Sequence, residues 1–205
     1  MTSNLPSQQP SNASGPSHRK RNAVTGRAAI LDAAREAFTR AGYDGAGLRE
    51  IAKAAGVTAM MVNHYFGSKE QLFVEVLTDQ MMSPKIVRQD VIQSKNYPKE
   101  LAAALVTQTR TGAVPLDGFL ILLKSAANPL AAEIGREQIE RFHQRNMEQA
   151  LTGVEAGERA ALILSMVLGF QLMQQMFGLR ALVHAETNDL IDRLAGVFDL
   201  LIGGK

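Results

Sequence analysis

The sequence predicts an all-α fold in two parts, a small unit of three short helices followed by a larger helical bundle. Three observations predict it. Apolar residues recur at i, i+3, i+4 and i+7 through most of the chain, and no run alternates with the two-residue period of a strand. Residues that start helices stand just ahead of these stripes: Thr58, Ser68, and the prolines of Ser83-Pro84, Tyr97-Pro98 and Asn128-Pro129. Glycines that let the chain leave a helix, Gly42 and Gly56, close two of them. Of 205 residues, 46% are hydrophobic and 20% charged, with a net charge of +2, so a sizeable core can form and the chain is no solvated polyelectrolyte.

Residues 1–22 are rich in Ser, Asn, Gln and Pro and are expected to form a disordered tail that ends in the basic run His18-Arg19-Lys20-Arg21. That run is either a solvated flank or an arm that meets DNA phosphates or a minor groove. The first helix is expected over 27–41, with Thr25 as N-cap, the stripe Ile30, Leu31, Ala34, Ala37, Phe38 and Ala41, and Gly42 as its stop. A second helix should span 48–55, with Gly56 as its stop, and a third should run from the cap Thr58 to Tyr65. Ser68-Lys69-Glu70-Gln71 reads as a capping box that opens a fourth helix to Met82. Further helices are expected over 84–92, 98–109, 116–125, 129–151, 156–180 and 188–202.

The informative stretch is 48–73, LREIAKAAGVTAMMVNHYFGSKEQLF. Two short helices meet at Ala55-Gly56-Val57, and Ile51, Ala52, Val57 and Val62 can close a small core between them. This is a helix-turn-helix, in which the second helix enters the major groove of DNA and the first braces it on the backbone. The third helix suits that task. Thr58, Asn63, His64 and Tyr65 carry hydrogen-bonding groups, and Ala59, Met60 and Met61 offer apolar tips for thymine methyls, while Asn can pair bidentately with adenine. Met60 and Met61 cannot both point inward. Lys69, at the start of the fourth helix, can reach a phosphate. Phe66 is expected in the core; Tyr65 either packs alone or packs with its hydroxyl on a phosphate, and His64 is either a contact or an idle surface histidine.

Residues 30–77 resemble the DNA-binding domain of the TetR/AcrR family. The likeness rests on Ile30-Leu31-Asp32-Ala33-Ala34, Phe38, Gly42-Tyr43, Leu48-Arg49-Glu50-Ile51-Ala52, Ala55-Gly56-Val57 and Tyr65-Phe66-Gly67-Ser68-Lys69-Glu70, in order and spacing. It implies an N-terminal helix-turn-helix three-helix DNA-binding domain over 23–70 and a helical-bundle ligand-binding and dimerisation domain over 71–205. The chain departs from the family pattern at Gly47, where the family commonly caps with Thr or Ser, at Ala59-Met60, where Pro and Gly are common, and at Asn63, where tyrosine is frequent.

In the second part, 156–180 carries two apolar stripes, Leu162, Met166, Phe170, Met173 and Phe177 on one and Leu164, Leu168, Leu172 and Met176 on the other. The last helix carries Leu190, Ile191, Leu194, Val197, Phe198 and Leu201. Either all of these fill one monomeric core, or the last two long helices form a homodimer, which two-fold reading of DNA requires. The resemblance implies a pocket for a small apolar effector, with Phe119, Leu122, Leu123, Phe142, Met166, Phe170 and Met173 as candidate lining residues.

Other classes fare worse. There is no cysteine, so no disulfide, thiol nucleophile or cysteine metal site, which fits a cytoplasmic location. Glu140 and His143 make a single Glu-x-x-His step, half of what a di-iron bundle needs, so neither a metal nor a cofactor is expected. No HExxH, Walker A or GxSxG sequence occurs, and no enzyme is expected. Residues 160–177 are interrupted by Ser165, Gln171, Gln174 and Gln175, so no membrane span is expected. A regulator that senses no small molecule, or a helical-bundle enzyme or metal carrier, are the alternatives.

Overall fold

The computed structural model describes residues 16–110, 112–113 and 116–203, with side chains from residue 25 on. Residues 1–15, the larger part of the expected tail, lie outside the described residues. Helix α1 (Pro16–Gly45) begins eleven residues before the expected start at Arg27 and is broken at Gly42, so Thr25 lies inside it and is no N-cap. Polar composition argues against burial, not against helix, and residues 16–22 need no apolar face to extend a helix anchored further on. The anchor is Ile30, Ala34, Ala37 and Phe38, all buried at helical spacing. At Gly42 the backbone has φ 68°, and a Cβ there would stand 2.5 Å from the carbonyl oxygen of Lys124, so only glycine fits.

Helices α2 (Leu48–Ala54), α3 (Ala59–Phe66) and α4 (Lys69–Met82) follow, with bounds close to those expected. Ile30, Phe38, Ile51, Ala52, Val62, Phe66, Leu72 and Phe73 form one core, packed with Phe38, Tyr43 and Phe73 in mutual ring contact. These helices do not bury their faces alone. Ile121, Ala131 and Ile134 join the same core from α7 (Asp117–Ser125) and α8 (Pro129–Ile139). Helix α7 lies along α1. Lys124 Nζ donates to the carbonyls of Thr39 and Arg40 at 2.8 and 3.0 Å, and the Tyr43 N–H donates to Ser125 Oγ at 2.9 Å.

The second core is built from α5 (Gln89–Ile92), α6 (Tyr97–Thr109), α9 (Arg145–Ala150), α10 (Ala156–Gln171) and α12 (Thr187–Gly203), with Ile86, Leu101, Leu105, Met147, Ile163 and Phe198 at its centre. The expected helix over 84–92 is confined to α5. Pro84 does not start it; residues 84–88 run irregularly and sink Ile86 and Val87 into the core. The expected 129–151 helix is continuous, but a wider π-helical stretch, Glu140–Gln144, joins α8 to α9. A second π stretch, Leu172–Met176, extends α10. The 156–180 helix stops short of its expected end because Gly178 turns the chain at φ 59°, and α11 (Arg180–Val183) is separate. Buried Arg159 donates to the carbonyls of Leu201 and Ile202, closing the C-terminal end of α12 with a cation where the helix dipole favours one.

The expectation that Ser and Gln make this stretch too polar to span a membrane is corrected on composition alone. Ala156–Met176 is long and apolar enough to cross a membrane by length and composition, with mean hydropathy 1.3. Uncharged Ser and Gln lower hydropathy far less than charges do. Here Ala160, Ile163, Leu164 and Val167 of that helix are packed into the second core.

Candidate functional site

The turn between α2 and α3 is made by Gly56, at φ 67°, with the Val57 N–H donating to the Ala52 carbonyl at 2.9 Å. Thr58 then caps α3, its Oγ1 accepting from the Met61 N–H at 3.3 Å. Val62 and Phe66 face the core, which turns the opposite edge of α3 outward. On that edge Thr58, Asn63 and His64 are exposed, Met60 and Met61 are 81% and 38% exposed, and Ala59 is half-buried. Both methionines therefore lie at the surface, where at least one was expected. Tyr65 is half-buried, its ring edge-on to His64 at 5.5 Å and its hydroxyl over Gly26 of α1. Helix α2 has Gly47 before it and no side-chain cap.

Lys69 opens α4, after Ser68 caps it by accepting from the Gln71 N–H at 3.2 Å. Its ammonium sits 4.6 Å from the centre of the Tyr43 ring, a cation–π contact that holds it beside α3. Hydrogen bonds from Ser68, its own backbone N–H and the Tyr43 hydroxyl hold the Glu70 carboxyl below its ordinary range. Arg27 is occupied elsewhere, stacked over Phe66 and paired with Glu75. Two basic residues escaped the sequence reading. Arg49 and Lys53 are exposed, lie four apart on the face of α2 opposite Ile51, and have no ion pair among the described residues. Their place in the bracing helix was the available signal.

The second feature is a cavity of about 440 Å³, partly open to solvent. Its wall takes Met81 from the end of α4, Ile86 and Val87 from the following loop, Phe119 and Leu122 from α7, Ile139 from α8 and Leu164, Val167 and Leu168 from α10. Polar groups on the wall are Arg35, Gln80, Ser83, Lys85, Asp117, His143 and Gln171. Burial pushes the His143 imidazole below its ordinary pKa, so it is neutral near pH 7. Gln171 is 2% exposed, and its Nε2 has no hydrogen-bond partner among the described residues.

Comparison with known proteins identifies this arrangement. Residues 30–76 match the family described as bacterial regulatory proteins, tetR family, and residues 96–202 match the tetracyclin repressor-like C-terminal domain. The chain belongs to the tetR family. The HTH-type transcriptional regulatory protein RaaS of Mycobacterium tuberculosis is 34% identical over 135 residues, a match covering 65% of this chain and 59% of that protein. The HTH-type transcriptional regulator RutR of Escherichia coli is 41% identical over 59 residues, 29% of this chain and 28% of its own length. Among solved structures, NalD of Pseudomonas aeruginosa, the secondary repressor of the MexAB-OprM multidrug efflux pump, superposes with TM-score 0.61 at 20% identity. That match covers 87% of this chain and 95% of that one. A TetR-family regulator of Streptomyces coelicolor superposes with TM-score 0.57 at 22% identity, covering 87% and 95%. These structural likenesses carry the fold.

The tetR family is one of bacterial regulatory proteins, and the chain carries both its N-terminal and its C-terminal domain. Within it, the expected pocket residues divide. Phe119 and Leu122 line the cavity. Leu123, 38% exposed, does not, nor do Phe142, Met166, Phe170 and Met173, and their assignment to the lining is corrected. Phe142 lies under the Arg141 guanidinium, Met166 and Phe170 rest against the second core, and Met173 is exposed. The reason is helical phase. Both stripes of α10 are apolar, and Leu164, Val167, Leu168 and Gln171 are the set that turns to the cavity. Gln171 was missed as lining because a polar residue inside an apolar helix reads as an interruption, and His143 because it was weighed only as half of a Glu-x-x-His step.

Proposed function

We propose that the protein represses transcription as a homodimer on a two-fold symmetric operator, and that a small, mostly apolar molecule in the cavity releases it. The single observation that carries the reading is the outward edge of α3. An eight-residue helix capped by Thr58 presents Thr58, Ala59, Met60, Met61, Asn63 and His64 to a groove, while Tyr65 and Lys69 stand beside it for phosphates. Arg49 and Lys53 add phosphate contacts from the bracing helix. Two copies of α3 about 34–36 Å apart match successive major grooves on one face of B-DNA. Repression is supported by the kind of protein it resembles: the HTH-type transcriptional repressor AcnR of Corynebacterium efficiens is 41% identical over 51 residues.

The release mechanism follows from one helix with two ends. Helix α4 has 14 residues, about 20 Å of rise, with Lys69 at its DNA-facing start and Met81 on the cavity wall near its end. A molecule that seats better with α4 displaced favours a dimer whose reading helices no longer fit successive grooves. The shift can be no larger than its differential affinity for the two conformers. The test is footprinting on DNA flanking the protein's own gene, then a screen of small molecules for release. A protected two-fold site lost on adding a cavity ligand is expected. Equal affinity for that DNA and random DNA at matched salt would overturn operator reading, and protection that no cavity ligand alters would leave a regulator that senses no small molecule.

A further inference from the structure

The cavity is not closed by the second part of the chain alone. Arg35, on its wall, belongs to α1, the helix on which the DNA-reading pair is packed. Its Nε lies 3.8 Å from Asp117 Oδ2, too far for a hydrogen bond, and has no hydrogen-bond partner among the described residues, while its Nη2 lies 3.4 Å from Asp32 Oδ1, an exposed carboxylate one turn back on α1 and off the cavity wall. Asp117 is also on the wall, at the first turn of α7. The other unpartnered buried atom on this wall, Gln171 Nε2, is likewise a donor. The charged side chains around the cavity are two cations, Arg35 and Lys85, against one carboxylate, Asp117. An apolar enclosure whose spare hydrogen-bonding atoms are N–H groups, and whose cations outnumber its carboxylates, selects a ligand that brings an anionic acceptor.

We infer that the effector is an apolar monocarboxylic acid whose carboxylate accepts from Gln171 Nε2 or Arg35 and draws Arg35 away from Asp117. This rests on the reading of the cavity as the effector site and adds the effector's chemical class and the first link to DNA. Without ligand, the attraction of Asp117 for Arg35 ties the start of α7 to α1, at the other end of the same helix pair that Lys124 clamps at Thr39 and Arg40. A bound carboxylate offers Arg35 a better-placed anion and loosens that tie, so α1 and the helices it carries are free to shift against α7.

The experiment titrates decanoate, decanol and decylammonium into the full chain by calorimetry, with wild type, Arg35→Gln and Asp117→Asn compared at equal folded fraction by thermal melting. Operator binding is followed in parallel. Decanoate should bind at least about tenfold more tightly than the alcohol or the amine, the worth of one charge-assisted hydrogen bond. Arg35→Gln should weaken decanoate by about tenfold while decanol changes less than about twofold. Asp117→Asn, which removes the competing anion, should move the other way, tightening decanoate and weakening operator binding in the absence of any ligand. Because the two variants carry opposite signs, general damage to the fold cannot imitate the pattern. If the three head groups bind and release DNA equally, the cavity remains an effector site and the acid proposal falls. If none binds while the operator is still protected, both fall and the DNA-binding reading stands.

Discussion

At the scale of single residues, the proposed function divides the outward edge of α3 and its surroundings into groups that hold DNA and groups that recognise it. Lys69 is held by its contact with the Tyr43 ring, and in the proposed function it meets the duplex as a charge. Lys69→Ala should weaken binding to every sequence and lower the salt slope by about one unit. Asn63, exposed on α3, should behave differently. Asn63→Ala should cost about 1–3 kcal/mol on the operator and little on random DNA, and equal losses on both, measured by titration at several salt concentrations, would remove its base-reading role. Tyr43 gives a pH signature of folding. Burial first, then its hydrogen bond to Glu70, pushes its pKa from 10.0 up to about 12. The folded state therefore keeps the proton more tightly than the unfolded chain. The stability it contributes is complete below pH 10 and is lost as pH climbs toward 12. Tyr97, buried without a partner for its hydroxyl among the described residues, is pushed upward by burial alone and adds to the same decline. Tyr43→Phe should flatten part of the fall in melting temperature between pH 9.5 and about 11.5; an unchanged alkaline slope would mean that Tyr43 titrates normally.

At the scale of elements, the parts that were legible in the sequence are those with local causes. Thr58 and Ser68 accept backbone N–H groups three residues on, as their positions predict, and α2, α3 and α4 fall within a residue or so of their expected bounds. Thr58→Ala removes the cap of a helix of only eight residues, and should cost about 1 kcal/mol of stability, read by urea denaturation. It should also weaken operator binding more than random-DNA binding, because fraying starts at the residues proposed to face bases. What was not legible has non-local causes. Pro84 reads as a helix start, yet Ile86 and Val87 gain more from sinking into the core than from helical hydrogen bonds. The early start of α1 at Pro16 has no apolar signature to announce it. The two π stretches each insert one residue per turn, and nothing in their composition marks them. The choice between the two stripes of α10 depends on which neighbours arrive, so the stripe with Met166, Phe170 and Met173 was expected at the cavity where Leu164 and Leu168 of the other, with Val167 between them, line it.

At the scale of the whole molecule, one protomer leaves a large apolar surface uncovered. Regulators of the tetR family act as dimers, and the likeness of 96–202 to the repressor-like C-terminal domain extends to the helices concerned. Of α12 only Phe198 is buried; Val197 and Leu200 are 43% and 65% exposed. Along α10 and its continuation Leu162, Met173, Met176 and Phe177 are exposed as well. We propose that these two helices from each protomer form the dimer contact, so each side chain on it is buried twice by symmetry. Burying one leucine is worth about 2 kcal/mol, so Leu200→Glu should cost the dimer about 4 kcal/mol before the penalty of covering two carboxylates. The protomer should keep its stability, because Leu200 touches neither core cluster in the single chain. Sedimentation should then report a monomer at concentrations where the wild type is dimeric. Operator affinity should fall steeply while affinity for an isolated half-site holds, since the two reading helices no longer share one effective concentration. If Leu200→Glu and Leu162→Glu together leave the dimer intact, the contact lies elsewhere, and the exposed stripes of α10 and α12 need another partner.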